Sequence, residues 1–388
     1  MTKLSSDIPG HADTTVGLYI HVPFCERICP YCDFAVVAAR TLEPADEERY
    51  VAALLVELDS RRADFPGRSL ATVYFGGGTP SLLQPRSLAR LLDAARAAFS
   101  GTTTERERLP AFRELGINRL SMGVQSFDDT TLKKLGRAHK ASESRQSLRA
   151  ARAAGFENLS LDLILACPGQ SFASFERDLE SALEFEPEHL SVYELTIERG
   201  TPFALADERG QLARPSEDLA AQMLEHLASR GAAAGLERYE ISNAARPGFE
   251  SAHNSRYWAR LPVLGLGVGA WSSEAQSDEM PFGGRRMNSR DLAAYLEGVE
   301  GGDTAVAEID RLSESAARGE AMFLGLRRTA GLSCAAFETE FGAPPRKFYS
   351  RQIDRLMAAG LLAETPCGDL RLTERGVLLS DTVFADFV

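Results

Sequence analysis

Three cysteines crowd into one short stretch, His21-Val22-Pro23-Phe24-Cys25-Glu26-Arg27-Ile28-Cys29-Pro30-Tyr31-Cys32-Asp33-Phe34, with the spacing Cys-x-x-x-Cys-x-x-Cys. Thiolate is a soft ligand, and three of them on one loop can hold three irons of a cubane iron–sulfur cluster. The fourth iron is then left without a cysteine and open to an external ligand. Zinc is one alternative. Structural zinc is normally closed by four ligands, and His21 is the residue at hand to supply the fourth, at an unusual spacing. A third reading treats the three cysteines as packing residues in a reducing compartment. The others, Cys167, Cys334 and Cys367, have no partner at metal spacing and read as small, neutral residues. Six cysteines in 388 residues are too few for a disulfide scaffold.

A loop that holds a metal cluster needs rigid elements behind it. Residues 16–22 read as a strand that runs into the cysteine loop. After it, strands at 71–75, 118–124, 159–165 and 190–195 alternate with amphipathic helices at 47–63, 87–99, 142–154, 172–183 and 217–234. This βαβα rhythm implies a parallel sheet covered by helices, closed or partly closed as a barrel. In such folds chemistry sits at the C-terminal ends of the strands. The cysteine loop follows the first strand, and Gly76-Gly77-Gly78-Thr79 follows the second. One step is missing. Between the helix ending near Phe99 and the next, at 108–115, the chain reads Ser100-Gly101-Thr102-Thr103-Thr104-Glu105-Arg106-Glu107, with no apolar alternation. The expected barrel therefore lacks a strand there.

Residues 242–273 are rich in Gly, Asn, Tyr and Trp, and 301–310 read as a linker. From about Arg311 the pattern is helices at 317–326, 334–341 and 348–359, then a β segment at 370–372, which resembles a winged-helix module. Its charges roughly balance and Glu338 and Glu340 lie on one helix, so packing is favoured over DNA binding. The expected domains are a flexible tail at 1–15, the barrel at 16–240, a barrel extension at 241–305 and the helical module at 306–388. The whole chain is 44% hydrophobic and 25% charged, with a net charge of −12. An acidic chain has no general grip on nucleic-acid backbone. No window reads as a membrane span, and the N-terminal residues read as neither a secretion signal nor a transit peptide. The expectation is a cytoplasmic protein.

The Cys-x-x-x-Cys-x-x-Cys loop after a first strand resembles the radical S-adenosylmethionine (SAM) superfamily. In that family SAM chelates the open iron of a [4Fe–4S] cluster. The wider set of motifs resembles the oxygen-independent coproporphyrinogen III oxidase group. It comprises Tyr19-Ile20-His21-Val22-Pro23-Phe24-Cys25, Tyr74-Phe75-Gly76-Gly77-Gly78-Thr79-Pro80 and Arg119-Leu120-Ser121-Met122-Gly123-Val124-Gln125-Ser126-Phe127. It continues with Leu135-Gly136-Arg137-Ala138-His139, Asp162-Leu163-Ile164, Pro168-Gly169-Gln170 and Tyr239-Glu240-Ile241-Ser242-Asn243. Within that group the chain is most similar to the HemW haem-chaperone branch. Phe34 stands where the oxidases have a fourth cysteine. His253-Asn254-Ser255-Arg256-Tyr257-Trp258 matches an H-N-x-x-Y-W motif associated with haem, and the oxidases' N-terminal extension is absent.

The resemblance implies a partial (β/α)6-type radical SAM barrel with Cys25, Cys29 and Cys32 on the cluster. It implies that Gly77, Gly78 and Thr79 meet the amino group of SAM. Tyr19 and Tyr31 then stand beside cluster and SAM, while Gln125, Arg137 and Asp162 line SAM or a second ligand. For Arg137 and Asp162 the plainer reading is an internal salt bridge. Gly265-x-Gly267-x-Gly269-Ala270 resembles the segment passing the adenine of SAM, although Trp271 replaces the family's usual histidine. His253 would be an axial ligand of haem, with Tyr257 and Trp258 offering flat faces; all three equally suit a packed core. Relatives carry a strand near E-x-T-x-E-x-N-P, with an acidic SAM contact, where this chain has none. Weaker SAM binding or lower stability is the consequence expected. The implied function is haem delivery to haem-accepting proteins, with transient contact to membrane proteins. The alternatives are coproporphyrinogen oxidative decarboxylation and a degenerate member that keeps only the cluster.

Overall fold

The computed structural model describes residues 14–99 and 111–388. Strand β1 (Thr15–Val22) shows why this segment is extended. Val16, Leu18, Ile20 and Val22 recur at every second position and are completely buried. They pack against α1 (Pro44–Arg61), whose Val51, Leu54 and Leu58 recur at helical spacing in the same core. Pro44 starts that helix and Asp46 and Glu47 lie in its first turn, where free backbone amides favour them. The other face of β1 carries Tyr19 and His21.

The chain continues through β2 (Ser69–Gly77), α2 (Pro85–Ala98), β3 (Leu120–Gln125), α3 (Ala141–Ala153), β4 (Leu159–Leu165), α4 (Phe172–Leu183), β5 (His189–Glu194) and α5 (Glu217–Ala233). The expected alternation is present, and β1–β2, β3–β4 and β4–β5 pair in parallel. Beyond α5 the rhythm changes. β6 (Glu237–Glu240) and β7 (Asn243–Ala245) form a hairpin whose second strand pairs antiparallel with β5. After α6 (Ala252–Trp258), β8 (Val263–Leu266) returns to pair in parallel with β1. β9 (Trp271–Glu274) and β10 (Gly284–Asn288) extend that sheet, followed by α7 (Leu292–Glu300) and β11 (Val306–Arg311). Segment 301–310, expected as a linker, is thus corrected: its second half belongs to an edge strand. The strand carries charge and leaves Ile309 40% exposed, so it has no buried face to signal itself in the sequence.

Strands β1 to β11 form two sheets, ordered β11-β10-β9-β8-β1-β2 and β3-β4-β5-β7-β6. Among the described residues no strand joins β2 to β3. The segment expected to lack a strand, 100–108, lies outside the described residues, as does most of the 1–15 tail. Each sheet has its own core. One gathers β1 and β8 with α1 and α2; the other gathers β4 and β5 with α3, α4 and α5.

The C-terminal part is α8 (Glu314–Arg327), α9 (Cys334–Phe341), α10 (Pro345–Ala358) and the hairpin β12 (Leu362–Glu364) with β13 (Leu370–Leu372). Met322, Phe337, Ile353 and Leu370 are buried in its core. It docks through ion pairs. Arg327 reaches the fully buried Glu240 at 2.7 Å, and Arg260 binds Glu320 at 3.0 Å and also Glu340. No helix among the described residues is long and apolar enough to cross a membrane.

Candidate functional site

The cysteine loop is pinned from several sides. Phe24–Cys25 pairs in parallel with Val37–Ala38, and the Cys32 amide donates to the Cys29 carbonyl at 3.0 Å. The Phe203 amide donates to the Pro30 carbonyl at 3.0 Å, and Arg290 holds the Asp33 carboxylate at 3.1 Å. All three cysteines line one cavity of about 2010 Å³ among the described residues. Cys25, Cys29 and Cys32 are half-buried. Burial pushes the Cys25 and Cys32 thiols up, a shift that a bound metal would reverse by taking them as thiolates.

The glycine run packs directly on this loop. The Gly78 amide donates to the Val22 carbonyl at 2.7 Å and the Thr79 amide to the Phe24 carbonyl at 2.8 Å. A Cβ on Gly78 would lie 2.6 Å from the Phe24 carbonyl and 2.8 Å from the Cys25 sulfur. Gly77 has φ +96°, and a Cβ there would strike the His21 ring at 2.6 Å. His21 is itself fully engaged. Its Nε2–H donates to the Ala35 carbonyl at 2.9 Å, so Nδ1 accepts from the Tyr19 hydroxyl at 3.0 Å. That removes it as a fourth zinc ligand. Among the described residues no three His, Cys, Asp or Glu side chains converge on a single-ion position. A cubane would take three thiolates spread around a larger body than a single ion, and three thiols on one loop are the donor set it needs.

The third strand contributes through a bulge. The β3–β4 register shifts between Gly123 and Gln125, and Gln125 takes φ +65°, a strained conformation for a residue with a side chain. The carbonyls freed there are taken by the Leu135–His139 motif. Arg137 donates to the Gly123 carbonyl at 3.0 Å and His139 to the Val124 carbonyl at 3.2 Å. The other arm of Arg137 touches the Cys29 sulfur at 3.6 Å, and its buried Nε has no partner among the described residues. Tyr31 shares hydrogen bonds with Cys29 and Arg137, and burial raises its hydroxyl well above the usual range. Arg137 therefore bridges the cysteine loop and the bulge; it forms no ion pair with Asp162, the plainer reading of those two. Asp162 accepts from the Ser121 hydroxyl at 2.9 Å. Burial lifts its carboxyl to about 6, against the hydrogen bonds of Ser121 and Ser191.

His253 lies on α6 and is 5% exposed. Its Nδ1 meets the Thr72 hydroxyl at 2.9 Å, and its Nε2 meets the Tyr257 hydroxyl at 3.3 Å. Its ring stacks on Tyr74 at 5.2 Å, and Tyr74 stacks on Tyr19 at 6.0 Å. Burial lowers its pKa to about 4, with Arg256 adding to the effect, so the imidazole is neutral. Trp258 stacks with Arg327, 4.5 Å from its ring centroid, and its buried Nε1 is unpartnered among the described residues.

Tyr19, Tyr31, Gly77, Gly78, Thr79, Gln125, Arg137, Asp162 and His253 all line the same cavity as the cysteines. The glycines at 265, 267 and 269 do not. They admit close backbone packing against Trp271, His21 and Ala35. Sequence reasoning does not single out Thr72, Tyr74, Ser121 or Ser191 as site residues. For Thr72 and Tyr74 a signal exists: they alternate along β2 and pair in register with Gly17 and Tyr19.

A family model described as the Radical SAM superfamily matches residues 19–182, and one described as the HemN C-terminal domain matches 312–379. The heme chaperone HemW of Bacillus subtilis is 34% identical, covering 95% of this chain and 98% of the relative. That of Escherichia coli is 33% identical over 96% and 98%, and that of Lactococcus lactis is 36% identical over 95% and 96%. Among solved structures, the coproporphyrinogen III oxidase HemN of Escherichia coli superposes with a TM-score of 0.79 at 23% identity, over 97% of this chain and 90% of that one. At that identity the likeness speaks to the fold.

Proposed function

The chain belongs to the HemW family of haem chaperones, and from that premise we propose that it holds a [4Fe–4S] cluster on Cys25, Cys29 and Cys32, binds SAM beside it, and carries haem through His253 to haem-accepting proteins. The observation that carries this reading is one continuous cavity of about 2010 Å³, lined both by the cysteine trio and by His253. The volume exceeds that of an ordinary small-molecule pocket, roughly 300–1,000 Å³, which suits more than one ligand.

The chain's own residues divide the work. Cys25, Cys29 and Cys32 hold three irons, and a cluster with one open iron supplies a binding point and an electron for SAM. Gly78 and Thr79 keep the backbone close to that point, where a side chain at 78 would collide with the Cys25 sulfur. Arg137 sets a positive charge against the Cys29 sulfur. Asp162, with Ser121, presents hydrogen-bond acceptors along the same cavity. His253 supplies a neutral imidazole, the state that ligates iron, because burial keeps the ring unprotonated.

The test is an anaerobic haem titration of cluster-reconstituted protein, followed by absorbance, beside His253→Ala. Saturable binding that weakens at least tenfold in the variant supports the chaperone reading. Wild-type affinity in the variant removes His253 as ligand. Turnover of coproporphyrinogen with SAM and a reductant would replace the chaperone reading with the oxidase one. Phe34, in the position of the oxidases' fourth cysteine, argues against that outcome.

A further inference from the structure

Arg119 stands on the cavity wall immediately before β3, and its guanidinium is held from one side only. Nη1 donates to the Asn158 side-chain carbonyl at 2.8 Å and to the Phe249 backbone carbonyl at 2.9 Å. Nε and Nη2 have no hydrogen-bond partner among the described residues, and Arg119 forms no ion pair there. Asn158, by turning its oxygen to Arg119, leaves its Nδ2 amide as a further donor on the same wall. The carboxylates in the field of Arg119 are engaged elsewhere. Asp162 accepts from Ser121 and Ser191, and Glu188 pairs with Arg152 at 2.9 Å. Glu250 also lines the cavity and makes no pair with Arg119. Burial pushes the Arg119 pKa down, so its charge is held at a cost that a bound anion would offset.

Position decides what kind of anion this fork can take. The Gly123 carbonyl is the one that Arg137 ties to the Cys29 sulfur. Arg119 lies on the same face of the strand four residues earlier, roughly 13 Å away at the rise of an extended chain. It is thus well removed from the cysteine end of the cavity. The same cavity is walled by flat faces: Tyr74 stacks on Tyr19 at 6.0 Å, and Tyr193 is 42% exposed. A cationic fork beside aromatic walls fits a flat apolar body that carries a carboxylate. Resting on the reading that this cavity receives haem, we propose that Arg119, with Asn158, binds a carboxylate of the porphyrin. Iron has no part in this contact, which orients the macrocycle by its carboxylate edge, away from the cysteines. SAM carries a carboxylate too, and the test separates the two sources.

The experiment is titration of the full chain with protoporphyrin IX and with its dimethyl ester, both metal-free and delivered in the same dilute detergent. Porphyrin fluorescence follows binding, in wild type and in Arg119→Gln. The wild type is expected to bind the diacid about tenfold more tightly than the diester, the effect of one charge-assisted fork. Arg119→Gln is expected to lose that preference and to bind the diester as the wild type does. Equal affinity of the wild type for diacid and diester overturns the proposal without any variant. So does a variant that loses both ligands alike, the mark of a structural role. SAM binding by cluster-reconstituted Arg119→Gln should match the wild type. A loss there with porphyrin binding kept assigns the guanidinium to SAM and overturns the proposal. Haem is titrated beside them into the wild type. A wild type that binds neither haem nor porphyrin fails the haem reading and this inference together. Haem binding without a preference for the diacid porphyrin fails this inference alone.

Discussion

His253 is a residue whose protonation state is set by its surroundings, and the consequence can be measured without any ligand. Burial, with Arg256 nearby, lowers its pKa from 6.5 to about 4. The unfolded chain therefore binds the proton more readily than the folded one between those values. Stability contributed by the neutral ring is complete above about pH 6.5 and is lost as pH falls toward 4, about 2 kcal/mol by pH 5. Asp162 runs the other way, since a raised carboxyl favours the folded state on acidification. The difference between wild type and His253→Gln isolates the histidine. The urea midpoint of the wild type should fall more than that of the variant between pH 7 and pH 5, and equal falls would show that the ring is not held neutral. At this scale the cluster loop is legible from the cysteine spacing alone. The partners of His253 are not, because a hydrogen bond with Thr72, 181 positions away, leaves no local pattern.

Elements are legible where one face is buried. The ends of β4 and α4 fall where alternation and helical spacing put them, because Leu159, Leu161, Leu163 and Leu165 on one, and Phe175, Leu179 and Ala182 on the other, are buried completely. β11 is hidden because an edge strand with exposed Ile309 has no such face. The Tyr239-Glu240-Ile241-Ser242-Asn243 motif carries a family resemblance in the sequence and a structural task in the fold. Glu240 is completely buried and is satisfied by the Ser242 amide, by Asn243 and by Arg327 of α8. Removing one partner of a buried pair leaves an uncompensated charge, which costs about 3 kcal/mol or more. Arg327→Ala is expected to destabilise by about 2–3 kcal/mol, since its guanidinium is 24% exposed and partly screened. Glu240→Gln in that background should recover part of the loss. If the double variant is no more stable than Arg327→Ala, the carboxylate is not what Arg327 serves.

At the scale of the whole molecule, the cavity is bounded by β2 and β3, the outermost described strands on that side of the two sheets. Leu70, Thr72, Tyr74 and Gly76 on β2 line the cavity, and so do Leu120, Met122 and Gly123 on β3. Each strand is the last of its sheet among the described residues. A strand edge without a neighbouring strand presents backbone amides that need another acceptor. The buried cores of the two sheets are distinct, with Phe112 packed against both. Hydrogen exchange should therefore be fastest, among strand amides, at the β2 amides not bonded to β1 and the β3 amides not bonded to β4. β1 and β4, paired on both sides, should exchange most slowly. Cluster reconstitution with SAM should slow exchange at the C-terminal ends of β2 and β3, where Gly76 and Gln125 line the cavity beside the cysteines, while leaving β9 to β11 unchanged. Edge amides already as slow as those of β1 would mean that β2 and β3 are hydrogen-bonded beyond their described partners, and would overturn this expectation.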